Sequence, residues 1–95
     1  MIPMGIVASF SKVTFKKDGA EIFSANVTSG GCFGPTPDID VINAGYAELR
    51  SAIRKNKIPA ASIDFNAVSV RGHEYAVSSK GPYKIDAAGL KRLNP

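Results

Sequence analysis

The chain holds one histidine and one cysteine, so chemistry by a thiol and an imidazole would have to use Cys32 and His73. A thiol needs a basic or helix-N-terminal setting to become a thiolate. Cys32 lies in a Gly-rich stretch just ahead of an expected helix, which supplies part of that setting but no base. His73 is expected in the tight turn of a hairpin, with Glu74 beside it pointing to the opposite face of the strand. General acid or base work needs a partner within reach, and the local sequence offers none. Catalysis is not expected.

Asp38 and Asp40 could supply two metal oxygens, but calcium takes roughly six to eight ligands and no acidic cluster of EF-hand spacing follows them. Compensation of a helix dipole explains the pair more simply. Ser29, Gly30, Gly31 and Gly34 resemble a phosphate cradle in composition alone. No Gly-Lys-Ser or Gly-Lys-Thr ends the stretch, and Pro35 and Pro37 remove two backbone donors. No cofactor, metal or small-molecule substrate is expected. Arg50, Arg54, Lys55 and Lys57 cluster at a helix end. A solvated polar face is the simple reading there, and phosphate contact the sharper one. With Cys32 and Phe33 of the preceding loop, these four form the candidate interface.

The elements that must position these residues can be read from periodicity. Val13 and Phe15 alternate with polar residues, as do Phe23, Ala25 and Val27, which is the pattern of two half-buried strands. A two-residue Asp18-Gly19 loop would set Phe15 opposite Ile22 and turn the second strand's apolar set to the wrong face. A three-residue loop with Gly19 as a bulge, placing Val13 opposite Phe23 and Ser11 opposite Ala25, is therefore expected. Residues 29–37 carry three Gly and two Pro and read as a long loop. Thr36 is the expected N-cap and Pro37 the first helical residue, with Asp38 and Asp40 at the positive end of the dipole and Arg50, Arg54 and Lys55 at the negative end. Ile39, Ile42, Tyr46, Leu49 and Ile53 then share one stripe of a helix ending near Asn56. Gly45 costs about 1 kcal/mol there and opens the alternative of a break into a turn and a shorter helix.

Pro59 ends the helix, and Ile63 and Phe65 resume β-type patterning before an irregularity at Asn66-Ala67. A two-residue Gly72-His73 turn would place Val70 opposite Tyr75 and Val68 opposite Val77 on one face. After Gly81-Pro82, Tyr83 and Ile85 read as a short strand, and Leu90 and Leu93 close the chain. The fold expected is mainly β with one helix (α+β), a small antiparallel β-barrel or sandwich over residues 1–95 as a single domain.

At 95 residues and 10.0 kDa a second core is not available. Hydrophobic residues make up 44% and charged residues 21%, which excludes a disordered chain. With no Trp and eight Phe and Tyr together, the core must be largely aliphatic, so association could supplement a modest monomer stability. Residues 1–8 contain Pro3 and Gly5 and no preceding Lys or Arg, too short for a membrane span and unlike a signal peptide. A lone cysteine allows no intrachain disulfide, so the expected compartment is cytosolic and no membrane partner is expected. The net charge of +4 and pI near 9.4 permit polyanion binding without requiring it.

From Val68 the chain reads Val-Ser-Val-Arg-Gly-His-Glu-Tyr-Ala-Val-Ser-Ser, then a Gly-Pro turn, then Tyr-Lys-Ile-Asp-Ala-Ala-Gly-Leu-Lys-Arg-Leu. This final third resembles the C-terminal end of small head-tail joining proteins of tailed bacteriophages and prophages, whose Val-x-Val-x-Gly-x-x-Tyr-x-Val hairpin precedes a Gly-containing turn and a last strand. The resemblance implies a virion connector: copies arranged in a ring, portal and tail proteins as partners, passing contact with DNA, and synthesis in the host cytoplasm. The alternative is a basic β-domain of the bacterial cytoplasm that binds nucleic acid through its strand faces and Arg50, Arg54, Lys55 and Lys57.

Overall fold

The computed structural model describes residues 10–28, 30–31 and 34–93. Cys32, Phe33 and residues 1–9 lie outside the described residues. The strands are β1 (Phe10–Lys17), β2 (Ala20–Thr28), the two-residue β3 (Gly30–Gly31) and β4 (Gly34–Pro35), then β5 (Ala67–Val70), β6 (His73–Val77) and β7 (Leu90–Arg92). One helix, α1 (Asp38–Arg54), stands between β4 and β5, and 3-10 turns occupy Ala60–Asp64 and Ala87–Gly89. Five strands form one antiparallel sheet in the order β2-β1-β5-β6-β7. The protein is mainly β with one helix, as expected, but the sheet is open. With β2 and β7 as its two edges and α1 packed across one face, it forms, among the described residues, neither a closed barrel nor a second layer of strands.

The first hairpin turns at Asp18-Gly19, whose φ angles of 51° and 85° are those of a two-residue I′ turn. The mismatch of faces is relieved inside the strand rather than in the loop. Lys16 pairs with Glu21 but Phe15 pairs with Phe23, so Ile22 is the extra residue of a β-bulge. Val13 consequently faces Ala25, not Phe23, and Ser11 faces Val27. The bulge lets Ile22 and Phe23, adjacent in sequence, both pack against the core.

The second hairpin turns at Arg71-Gly72 (φ 53° and 77°), one residue earlier than expected. Val68 therefore pairs with Tyr75 and Val70 with His73. A shift in which each partner moves by two residues preserves the faces, so Val68, Val70, Tyr75 and Val77 still point to one side. His73 is moved out of the turn and onto that same side.

Helix α1 runs unbroken through Gly45. Pro37, not Thr36, is its N-cap, and no side chain among the described residues caps it. At the other end Lys57 N–H donates to the Ala52 carbonyl and Asn56 N–H to that of Ile53, with Asn56 at φ 59°. This is a Schellman ending, with Asn in place of Gly. Val41, Ile42, Gly45, Tyr46 and Leu49 are its buried residues. Ile42, Tyr46 and Leu49 of the expected stripe are at its centre, Ile53 lies at the rim of the core, and Val41 takes the place assigned to Ile39. Phe65 joins them with its ring 4.7 Å from that of Phe15 and 5.8 Å from that of Tyr46.

Two expected strands are absent because their backbone groups are satisfied otherwise. The carbonyls of Ile63 and Phe65 accept from the Lys80 ammonium, and Ile63 lies in a 3-10 turn that opens after Pro59. Ile85 exchanges its N–H (2.7 Å) and carbonyl (2.9 Å) with the Asn43 side-chain amide, which imitates a ladder rung from a helix. The loop 29–37 also differs from expectation, since it contains the Gly30–Pro35 and Gly31–Gly34 pairs of a minimal ladder.

Candidate functional site: a carboxylate knot, a basic groove and an open sheet edge

Asp38 opens α1 where the helix end meets the second hairpin, and its carboxylate gathers three side chains. Its Oδ2 lies 2.6 Å from His73 Nδ1 and accepts from Tyr75 Oη at 2.7 Å, while Oδ1 accepts from Arg71 at 3.2 Å. Arg71 also donates to the Thr36 carbonyl at 2.5 Å and to Ser11 Oγ at 3.3 Å. A carboxylate can only accept, so His73 carries its hydrogen on Nδ1 in this pair. Burial alone would raise the Asp38 pKa. The hydrogen bonds from Tyr75 and His73 and the charges of His73 and Arg71 outweigh it and hold the carboxyl below its ordinary value. The bond to Asp38, with burial and the carboxylate charge, pushes Tyr75 up.

Sequence reasoning assigned Asp38 to the helix dipole and His73 to an exposed turn, and it missed the knot. The detectable signal was His73 and Tyr75 two residues apart on the inner face of a strand, which the misplaced turn concealed. An Asp–His pair has the form of a catalytic dyad, but among the described residues no hydroxyl or thiol is bonded to Nε2. The pair and its neighbours fasten the helix start to β6 and to the turn that precedes it. Among the described residues no three His, Cys, Asp or Glu side chains are grouped to hold a metal.

The four basic residues expected to act together are divided between two grooves. Arg50 and Arg54 flank one of about 380 Å³ floored by Ile53, Ala60 and Ile63. Lys55 and Lys57 line another of about 200 Å³ beside Phe23, Glu48, Ser51 and Ala52. Arg50 also borders a wider cleft of about 590 Å³ with Tyr46, Asp64, Lys80 and Pro82. Its Cζ lies 5.2 Å from the Tyr83 ring centre and 5.9 Å from that of Tyr46. In this cleft Lys80 stands 4.1 Å over the Phe65 ring and donates to Phe65 carbonyl oxygen at 2.7 Å. Burial depresses its pKa, Asp64 opposes that shift and Lys17 adds to it.

The face of the sheet away from α1 carries Lys12, Thr14 and Lys16 from β1, Ser24, Asn26 and Thr28 from β2, and Ser69 and Glu74 beyond them. Lys16 reaches Glu74 at 2.8 Å, and Ser69 donates to the same oxygen at 3.0 Å. These hydrogen bonds and the Lys16 charge lower the Glu74 pKa. Phe10 stands at the end of this polar face, 67% exposed.

At one side of the sheet β2 has β1 as its sole ladder partner among the described residues. The edge runs nine residues, Ala-Glu-Ile-Phe-Ser-Ala-Asn-Val-Thr, with no Lys, Arg or Pro and with its bulge near the turn. No helix among the described residues is long and apolar enough to cross a membrane. No protein-family model, curated protein or solved structure matches the chain.

Proposed function

We propose that this protein is a structural assembly subunit rather than an enzyme, and that it works by extending its sheet through the β2 edge onto a neighbouring copy. The character of that edge carries the reading. Exposed edges template further pairing, and natural sheets blunt them with Lys, Pro, bulges or shortness. From Phe23 to Thr28 β2 has none of these devices. At the other edge β7 is three residues long and carries Lys91 and Arg92. Docking of the β2 edge onto a different surface of the next copy is a heterologous contact, which closes into a ring when the rotation permits.

A ring is also what the resemblance of the C-terminal third implies. The protein would then join a phage head, at its portal, to the tail, and reside in the virion. The Val68-x-Val70-x-Gly72-x-x-Tyr75-x-Val77 segment forms a hairpin inside the sheet, in keeping with that reading. The hydroxyl- and lysine-bearing outer face suits passing contact with DNA. Dedicated nucleic-acid binding is less well supported, because the strand face and the four basic residues of α1 and its end lie on opposite sides of the sheet.

Native mass measurement over a range of concentrations, with and without portal and tail proteins, tests the proposal. A defined oligomer or a complex with those proteins is expected, and it should be lost in Ser24→Lys/Asn26→Lys, which places charge on the edge strand. A strict monomer that binds neither component would overturn it.

A further inference from the structure

We propose that the groove between α1 and the 3-10 turn is a docking site for an acidic polypeptide segment that also carries an aliphatic residue. Arg50 and Arg54 stand one helical turn apart at its walls, a like-charge spacing that disfavours a helix. Neither has a carboxylate three or four residues away on the helix, and among the described residues neither guanidinium is in an ion pair. The nearby acid, Asp64, lines the wider cleft, where its charge acts on Lys80. Arg50 is held in place by the Tyr46 and Tyr83 rings, so little side-chain freedom remains to be lost on binding. The floor of Ile53, Ala60 and Ile63 is apolar. A guanidinium set against two rings and a second one a helical turn away, over an aliphatic floor, fit carboxylates flanking an Ile, Leu or Val side chain.

The same features weigh against nucleic acid as the occupant. Tyr83 is 76% exposed, yet Arg50 is stacked against its ring, and the floor offers aliphatic groups where a base would need an aromatic one. This docking site is separate from the β2 edge and does not depend on it.

The full-length chain is titrated, by fluorescence anisotropy, into a labelled short peptide alternating Asp or Glu with Leu. The comparisons are the same peptide with Asn and Gln for the acids, and a labelled oligothymidine. Binding to the acidic peptide alone is expected. Arg50→Gln/Arg54→Gln should weaken it by roughly tenfold or more, and Ala60→Glu, an exposed position, by a comparable factor. Lys12→Gln/Lys91→Gln removes equal charge elsewhere and should leave it within about twofold. No binding of the acidic peptide, equal binding of its neutral counterpart, equal loss in the Lys12/Lys91 variant, or tighter binding of the oligonucleotide at the same groove would each overturn the proposal.

Discussion

A Cβ placed on Gly45 would lie 2.9 Å from the Cβ of Val13 and 3.3 Å from Cε2 of Phe15. The glycine that looked like a place for the helix to break is instead where α1 packs directly onto Val13 and Phe15 of β1. Its cost in helix propensity, about 1 kcal/mol, accompanies that approach. Gly45→Ala should therefore destabilise the protein, because overpacking costs typically 1–3 kcal/mol and outweighs the propensity gain. Chemical denaturation should show a net loss of about 1 kcal/mol. A simple gain in stability would contradict this account of the packing.

The knot around Asp38 predicts the pH dependence of stability. Its carboxyl titrates below the ordinary 3.8 in the folded protein, so the unfolded chain takes up the proton first. The contribution is fully present above that ordinary value and is lost as the pH falls through the lower, folded one. Tyr75 is raised, so its contribution is present below the ordinary 10.0 and is lost as the pH rises through the higher, folded value. Asp38→Asn should cost about 1–2 kcal/mol at neutral pH and flatten both limbs, as measured by urea unfolding at a series of pH values. Unchanged limbs would show that the knot is not responsible.

Lys80 takes the place of a strand partner for the carbonyls of Ile63 and Phe65. Lys80→Met keeps the length of the side chain over the Phe65 ring but withdraws the donors. It should destabilise by about 1–3 kcal/mol, and amide exchange should quicken in residues 60–66 before it does in α1. Uniform quickening throughout would indicate a different role.

The elements set by side-chain periodicity were legible in the sequence: both hairpins, the helix with its core of Ile42, Tyr46 and Leu49, and the ending near Asn56. Features decided by partners distant in sequence were not. The bulge at Ile22 depends on what β2 packs against, and the turn at Arg71-Gly72 competes with an equally good turn chemistry one residue later. The two missing strands were lost to the side chains of Lys80 and Asn43, whose reach no local pattern encodes. The same one-residue displacement of the second turn hid the Asp38, His73 and Tyr75 constellation. Arg50, Arg54, Lys55 and Lys57 were legible as a charge cluster, but their division between two grooves depends on where the 3-10 turn and β2 lie.

The β2 edge predicts a position-specific effect of charge. Ser24→Lys and Asn26→Lys lie on the polar outer face, away from the core, so each should change monomer stability by no more than about 0.5 kcal/mol while weakening self-association. Thr14→Lys, on the same face but on the interior strand β1, should leave association intact. Equal effects at all three positions would assign association to the face instead of the edge.

Amide hydrogen exchange of β2 in the assembled and the dilute protein tests edge pairing most directly. Alternate amides of β2, those directed away from β1, should gain protection in step with the rise in mass, and the amides of α1 should not. A rise in mass with no added protection in β2 would contradict the account.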